Sequence, residues 1–326
     1  MEVALSADPH PQPKHHHYVH RAYLEGFIDP AGDYLWAYLP KKSPFRQKPE
    51  RIAKRNYYYC FDKENRRLFD FEHTLQELED ISLVILRKLR SRDFALSPED
   101  RLTFAGYVAL SYTRVPTFER NINRVTSLHA ALRMEEFLAV PENLALAARR
   151  YSESTGKQVT PEELKKTLNA GNVVLNQTSR GWSLKQIIDV MMLLQRVIYD
   201  MRWVFLVAES EDEGFITSDN PVALFGAPTT DVPGVGFLSS PDTYFTFPVS
   251  RTICLVAKHL SGKAQTVSRI SSVGVRQVNK GAIARADTQL YAPFKSGKIQ
   301  LLHDAAVMFR GNPKRVMVKK GRIVEE

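Results

Sequence analysis

A chain of 326 residues with 44% hydrophobic side chains is long enough for one large domain or two modest ones and can fill a core, which excludes disorder of the whole chain. Two cysteines, Cys60 and Cys254, give neither a disulfide framework nor zinc-ligand spacing, and both sit in aromatic or aliphatic runs that read as buried strand. The formal charge is +9, and residues 250–322 hold fifteen Lys or Arg against only Asp287 and Asp304, a local net of +13 that leaves −4 for the remainder, so a polyanionic partner is expected.

Taken in chain order, residues 1–14 read as a flexible, acidic and Pro/His-rich terminus without the basic and apolar regions of a secretory leader. Arg21 to Phe27 has the pattern of a helical turn, and Tyr34 to Leu39 that of a strand. Residues 40–56 are basic and punctuated by proline, which predicts a loop. A helix over 71–90 would place Leu75, Leu78, Ser82, Ile85 and Leu89 on one face, with Glu79 at its margin. Ser97-Pro98-Glu99-Asp100 forms an N-cap with proline at the first helical position, and the helix it opens should stop at Arg114 because Pro116 disfavours helical geometry before it.

Further helices are predicted over 117–138, 142–152, 161–169 and 183–200. The most apolar of these, from Ile187 to Ile198, is interrupted by Asp189, Gln195 and Arg196 and is too short to span a bilayer. A cytoplasmic protein with no membrane partner is therefore expected. From Arg202 the chain turns β-rich, with runs at 203–208, 214–217, 244–248 and 252–257, a long surface loop over 226–243, a helix over 273–286, and strands at 290–292 and 316–319. The predicted class is α+β: a predominantly antiparallel sheet from the N- and C-terminal thirds, with a helical middle layer or lobe. The organisation read from this pattern is a single domain over 15–326, helical over about 71–200 and β-rich over about 201–326.

Two polar clusters stand out for chemistry. In the opening His15-His16-His17-Tyr18-Val19-His20-Arg21, three adjacent histidines cannot all face one point, and His17 is the candidate acid or base, with Tyr23 packing nearby. In Thr217-Ser218-Asp219-Asn220-Pro221, an Asx turn explains the local sequence without catalysis. The functional alternative is that a strand end projects Ser218 and Asp219 into a cleft, where Asp219 orients His17, binds a cation or contacts substrate. Ser218 lacks the Gly-x-Ser-x-Gly elbow of a hydrolase nucleophile. Arg21, Arg114 and Arg251 lie at element ends, where a guanidinium can clamp phosphate, and Asn220 and Asn279 could offer amides to the same cleft. No phosphate-binding Gly-x-x-x-x-Gly-Lys loop, Rossmann fingerprint, His-Glu-x-x-His helix or kinase signature is present. No motif requires a cofactor; a divalent cation on His17, Asp219 and Glu79 is the one the residues would allow.

The string His17-Tyr18-Val19, then Tyr23-Leu24 and Phe27, resembles the opening of domain-of-unknown-function family 4238, with His20 where that pattern usually has proline. Glu79, Arg114-Val115-Pro116, the Thr217 to Val222 turn, Phe247-Pro248-Val249-Ser250 and Asn279 through Tyr291 resemble family features in the same order, over roughly 15 to 295. The resemblance implies a bacterial, archaeal or phage-borne protein, sometimes suspected of a defence role, and no established reaction.

Residues 41–67 interleave ten Lys or Arg with Phe45, Tyr57, Tyr58, Tyr59 and Phe61, a combination suited to phosphates and unstacked bases. The leading expectation is a nucleic-acid-acting enzyme, a ribonuclease or other phosphodiesterase with RNA the favoured partner. His17 would act as acid or base, Asp219 as orienter or metal ligand, and Arg21 and Arg251 at the phosphate. The alternatives are a non-catalytic nucleic-acid-binding or sensor module and an enzyme on a small anionic or nucleotide substrate. The oligomeric state is left open.

Overall fold

The computed structural model describes residues 15–59, 61–63, 66–68, 70–169, 173–174, 180–210, 213–226, 240–259, 263–310, 316–319 and 322–325. The expectations for residues 1–14, for Cys60 and for most of the 226–243 loop lie outside them.

The chain opens with β1 (His15–His17) and a single helical turn α1 (Arg21–Leu24), then β2 (Leu35–Tyr38), β3 (Phe45–Gln47), β4 (Lys54–Asn56), β5 (Phe61–Lys63) and β6 (Arg66–Leu68). Thus the basic segment 40–56, expected to be a loop, is partly strand: its polar side chains face outward while its backbone pairs, β3 with β2 and β4 with β1. Six helices follow, α2 (Asp70–Arg90), α3 (Pro98–Thr113), α4 (Pro116–Leu138), α5 (Pro141–Thr155), α6 (Pro161–Asn169) and, after β7 (Val173–Val174), α7 (Arg180–Asp200). The last part comprises β8 (Arg202–Ala208), β9 (Thr217–Ser218), β10 (Ala223–Phe225), β11 (Tyr244–Ser250), β12 (Ile253–Lys258), β13 (Gln265–Ile270), α8 (Ser272–Arg285), β14 (Leu290–Ala292), α9 (Gly297–Arg310), β15 (Val316–Lys319) and β16 (Arg322–Glu325).

The class is α+β, with antiparallel sheets and a helical middle. The strands divide among separate sheets. Five strands, in the order β10-β11-β12-β8-β13, come from the C-terminal third, and every pairing there is antiparallel except β13 beside β8. The four-stranded sheet β3-β2-β14-β9 joins the two ends of the chain, since Leu290 pairs with Tyr38 on one side and Ser218 on the other.

Helix α3 is the central pillar. Its start is fixed by a complete capping box, in which the Ser97 hydroxyl accepts from Asp100 N and the Asp100 carboxylate accepts from Ser97 N. Phe104 through Leu110 are buried without interruption, as befits a helix covered on nearly all sides. On one side Gly106 lets α7 approach so closely that a Cβ there would sit 2.8 Å from the Gln195 amide, which donates to Leu102 O at 3.0 Å. On another, the rings of Phe104 and Tyr107 meet Phe247 of β11. The resulting core runs continuously from Tyr18 through the helices to Tyr291.

Two arginines, Arg101 buried and Arg90 half-buried, lock the ends of elements to this core. Arg101 donates to Tyr199 O at 3.0 Å and Met201 O at 2.5 Å, covering the end of α7, and stacks 4.0 Å from the Trp203 ring. Arg90 donates to Ala22 O at 2.9 Å, Tyr23 O at 2.8 Å and Val249 O at 3.3 Å, and so ties α1 to β11. Orphan carbonyls at helix ends need such donors.

Candidate functional site

The opening segment is held by β1–β4 pairing, with His15 opposite Asn56, His16 opposite Arg55 and His17 opposite Lys54. The three histidines therefore separate, as strand alternation demands. His15 is exposed, while His16 is fully buried, stacks on Tyr59 with ring centroids 5.8 Å apart and accepts Tyr59 N–H at Nδ1. His17 is half-buried among Lys54, Arg114 and Glu79.

Pro116 ends α3 at Thr113 and leaves Arg114 as its C-cap, with φ −79° and ψ −8°. From this position the guanidinium reaches back to the opening. It bonds the Glu79 carboxylate and the His17 carbonyl, and its Nε donates to the Tyr59 hydroxyl at 3.0 Å. Glu79 lies on the margin of α2, as its spacing predicts, with its side chain only 13% exposed. Its other neighbour is His20, whose Nδ1 lies 3.9 Å from Oε1 and 3.1 Å from the Tyr107 hydroxyl. The result is a cluster of two imidazoles, one carboxylate, one guanidinium and two phenols, gathered from β1, the turn before α1, α2, α3 and the segment after β4.

His20 stands where the opening string that this chain resembles has proline. Its φ is −55°, within the range a pyrrolidine ring imposes. Histidine therefore preserves the backbone entry into α1 and adds an imidazole to the cluster.

Electrostatics keep both rings neutral. Burial, then Lys54 and Arg114, lowers His17 to about 4 against a weaker opposing pull from Glu79. Burial and Arg114 lower His20 to about 3. The same burial opposes charge on Arg114, but Glu79 and Tyr59 outweigh it and hold the guanidinium protonated. The His17 ring donates one hydrogen bond to the Glu50 backbone carbonyl, and Nε2 is buried with no hydrogen-bond partner. The Glu50 bond thus falls to Nδ1, which makes Nε2 the lone-pair nitrogen.

The depressed histidines carry a stability consequence. Between their ordinary value of 6.5 and the folded values of about 4 and 3, the unfolded chain binds protons that the native state refuses. Stability is full above pH 6.5 and is lost as pH falls toward 3. Asp219, raised to about 6, works in the opposite sense between pH 4 and 6 and offsets part of the loss. Chemical denaturation at pH 7 and pH 4.5 should show a net loss on the order of 2 kcal/mol, much reduced in His20→Asn. A pH-independent His20→Asn difference would contradict the assignment.

The second polar cluster is built differently. Asp219 is buried, and its Oδ1 accepts Asp287 N–H at 2.7 Å while Oδ2 accepts Thr288 N–H at 2.8 Å, the Thr288 hydroxyl at 3.0 Å and Gln289 N–H at 2.9 Å. Burial and then Asp287 push its carboxyl up, against these bonds. The Ser218 hydroxyl donates to Asn220 O at 2.8 Å and accepts Asn220 N–H at 3.0 Å, a local side-chain turn. Asn220 donates to Arg285 O at the end of α8, and Asn279 bonds Ile216 N–H and Gly214 O, each at 3.0 Å. The segment is a clasp between β9, α8 and β14.

The two clusters meet through the tyrosines of the opening. Tyr23 OH is 2.7 Å from Thr217 Oγ1, and Tyr18 lies in the field of Asp219. The charges that act on His17, by contrast, are Lys54, Arg114 and Glu79. Arg21 pairs with Glu25 one turn on, at 3.5 Å and largely exposed; its place at an element end hid this helical pair. Arg251 serves through its backbone, donating to Gly26 O and accepting from Phe215 N–H, both at 2.8 Å. Among the described residues no three His, Cys, Asp or Glu side chains converge as a cation site, so His17, Asp219 and Glu79 do not form one. Cys254 is a buried free thiol whose pKa burial raises, and no helix among the described residues is long and apolar enough to cross a membrane.

Sequence reasoning assigns no site role to His20 or Tyr107, and places Lys54 and Tyr59 only within the 41–67 stretch of cations and rings. The detectable signal was the Lys54-to-Tyr59 interleaving of cations and rings. The family model described as "Protein of unknown function (DUF4238)" matches residues 15–296, and the chain belongs to that family. No curated protein and no solved structure matches the chain.

Proposed function

We propose that this protein cleaves RNA at its phosphodiester bonds, using His17 as general base and Lys54 to neutralise phosphate. One observation carries the reading: the lone-pair Nε2 of a neutral imidazole, buried without a partner, stands directly across β1–β4 from a lysine. Residues opposite one another on antiparallel strands project to the same face about 5 Å apart, a span suited to a base and the charge it serves.

In the proposed step the RNA displaces the side chains that cover His17 Nε2, which then takes the proton of a ribose 2′-hydroxyl while that oxygen attacks phosphorus. The P–O5′ bond breaks, and the leaving oxygen is protonated from solvent. Lys54 offsets the charge gathering on the non-bridging oxygens. Arg114 and Glu79 act as positioning residues: the guanidinium holds the His17 carbonyl, and its charge adds to burial and Lys54 in keeping the ring neutral near pH 7, as a base must be. Asp219 has the role of a clasp.

The test is incubation of the purified protein with RNA, single-stranded DNA and duplex DNA, with and without divalent cations. RNA cleavage should fall at least ~100-fold in His17→Ala and also drop in Lys54→Ala, with both variants melting normally. Undiminished cleavage in folded His17→Ala would sink the mechanism.

A second reading, binding without turnover, draws support from cation–ring stacks at β4 and at the β2–β3 pair. Arg46 lies 4.5 Å from the Tyr34 ring and 5.2 Å from Trp36, and Arg55 lies within 5.8 Å of Tyr18 and Tyr58. It is distinguished by salt-sensitive affinity that His17→Ala leaves unchanged.

A further inference from the structure

A cavity of about 420 Å³ opens between α8 and α9, sharing no lining residue with the His17 cluster. Its size falls in the range of small-molecule sites, and its walls combine apolar area with a few polar groups in the manner of such sites. Val273 and Ile283 of α8 form one wall; Ile299 and Leu302 of α9 and the Phe294 ring form the other.

The charges around it are unbalanced. Arg276 bonds Glu213 at the rim, which satisfies both. Lys280, one helical turn further along α8, and Lys298, in the first turn of α9, also line the cavity. Neither has a carboxylate partner among the described residues. Two like charges at one opening repel each other, and a bound anion relieves them.

Lys298 also breaks a local rule. The start of a helix carries positive dipole charge and favours Asp or Glu, yet the first turn of α9 has no acidic residue and places a lysine there instead. A side chain added at Gly297 would meet nothing within 4 Å, so the backbone at the helix start is uncovered. Such a departure from local preference is expected where a site requires it.

We propose that this cavity binds a small organic phosphate, with its anionic group between Lys280 and Lys298 and its apolar or aromatic body against Phe294, Val273 and Leu302. Gln277 and Ser296, which also line it, supply hydrogen-bonding groups for the body. The site is independent of the RNA-cleavage reading and stands or falls separately.

Calorimetric titration with adenosine 5′-monophosphate and phenyl phosphate distinguishes a nucleotide from a simpler aryl phosphate, and adenosine and inorganic phosphate serve as half-ligands. The expected result is saturable binding of at least one organic phosphate, at least ~10-fold tighter than either half-ligand. The Lys280→Ala/Lys298→Ala double variant should lose at least ~10-fold in affinity. In Val273→Asp, where an exposed wall residue gains a negative charge, binding should vanish. All three sites lie on the surface, so circular dichroism should be unchanged. Absence of binding by both organic phosphates, equal binding of inorganic phosphate, or undiminished affinity in the double variant would each overturn the proposal.

Discussion

Arg114→Ala should lower the folding free energy by about 3–5 kcal/mol, the range found when one partner of a buried ion pair is removed. The side chain is 4% exposed and makes three kinds of contact at once: the Glu79 carboxylate, the His17 carbonyl and the Tyr59 hydroxyl. Removing it strands a nearly buried carboxylate beside the neutral His20 and leaves the His17 carbonyl with only the long 3.5 Å contact from the Tyr59 hydroxyl. Most of the cost is the penalty for that stranded charge and not the net worth of the pair. Glu79→Gln in the Arg114→Ala background should therefore recover part of the loss. His17 should also titrate closer to its ordinary value in the single variant, because one of the two cations that depress it has gone. Urea denaturation and an NMR titration of the imidazoles measure both effects. A loss below about 1 kcal/mol, the scale of an exposed pair, would show that the cluster is not held together by Arg114.

How much of this was legible in the sequence depends on whether a residue's partner lies nearby along the chain. The start of α3 was readable because Ser97, Pro98 and Asp100 carry the whole cap within four residues. Its end was readable because Pro116 acts on its immediate neighbours. The buried stripe of α2 followed from spacing, and Leu75, Ser82, Ile85 and Leu89 are indeed buried. By contrast α9 was missed. Its apolar residues face all directions, with Leu301, Met308 and Phe309 exposed and Ile299 buried, so no periodicity separates an inner from an outer face. Edge strand β13 was missed for a related reason: it is mostly exposed and acquires its strand identity from β8, some sixty residues earlier in the chain.

The candidate site divides in the same way. His17, Glu79 and Arg114 were each visible as polar residues at element margins, but their convergence required α2 and α3 to pack against β1. His20 stood out only as the residue in place of the usual proline. Nothing local announces that it faces Glu79 across 59 residues of chain, because that contact is made by tertiary packing alone.

Asp219→Ala should cost about 2–4 kcal/mol, by a mechanism unlike that of Arg114. Four donors converge on this carboxylate, three of them consecutive backbone N–H groups at Asp287, Thr288 and Gln289. A buried donor left unsatisfied costs about 1–3 kcal/mol, but Thr288 is exposed and the loop can turn part of its backbone to water, so the four losses do not add in full. The clasp extends the pairing of β9 with β14 past the last strand residue, since Asp219 N–H also donates to Gln289 O at 3.0 Å. Its loss should therefore propagate to Thr217, whose hydroxyl meets Tyr23 of the opening. Asp219→Asn, with one acceptor oxygen and an amide facing N–H donors, should fall between alanine and wild type. Calorimetric melting ranks the three proteins. Hydrogen exchange at Asp287 to Gln289 then separates a clasp from a reacting group: a clasp requires protection to collapse in step with the melting temperature while His17-dependent cleavage persists in the folded fraction. If cleavage vanished with protection and melting intact, Asp219 would belong to the chemistry instead.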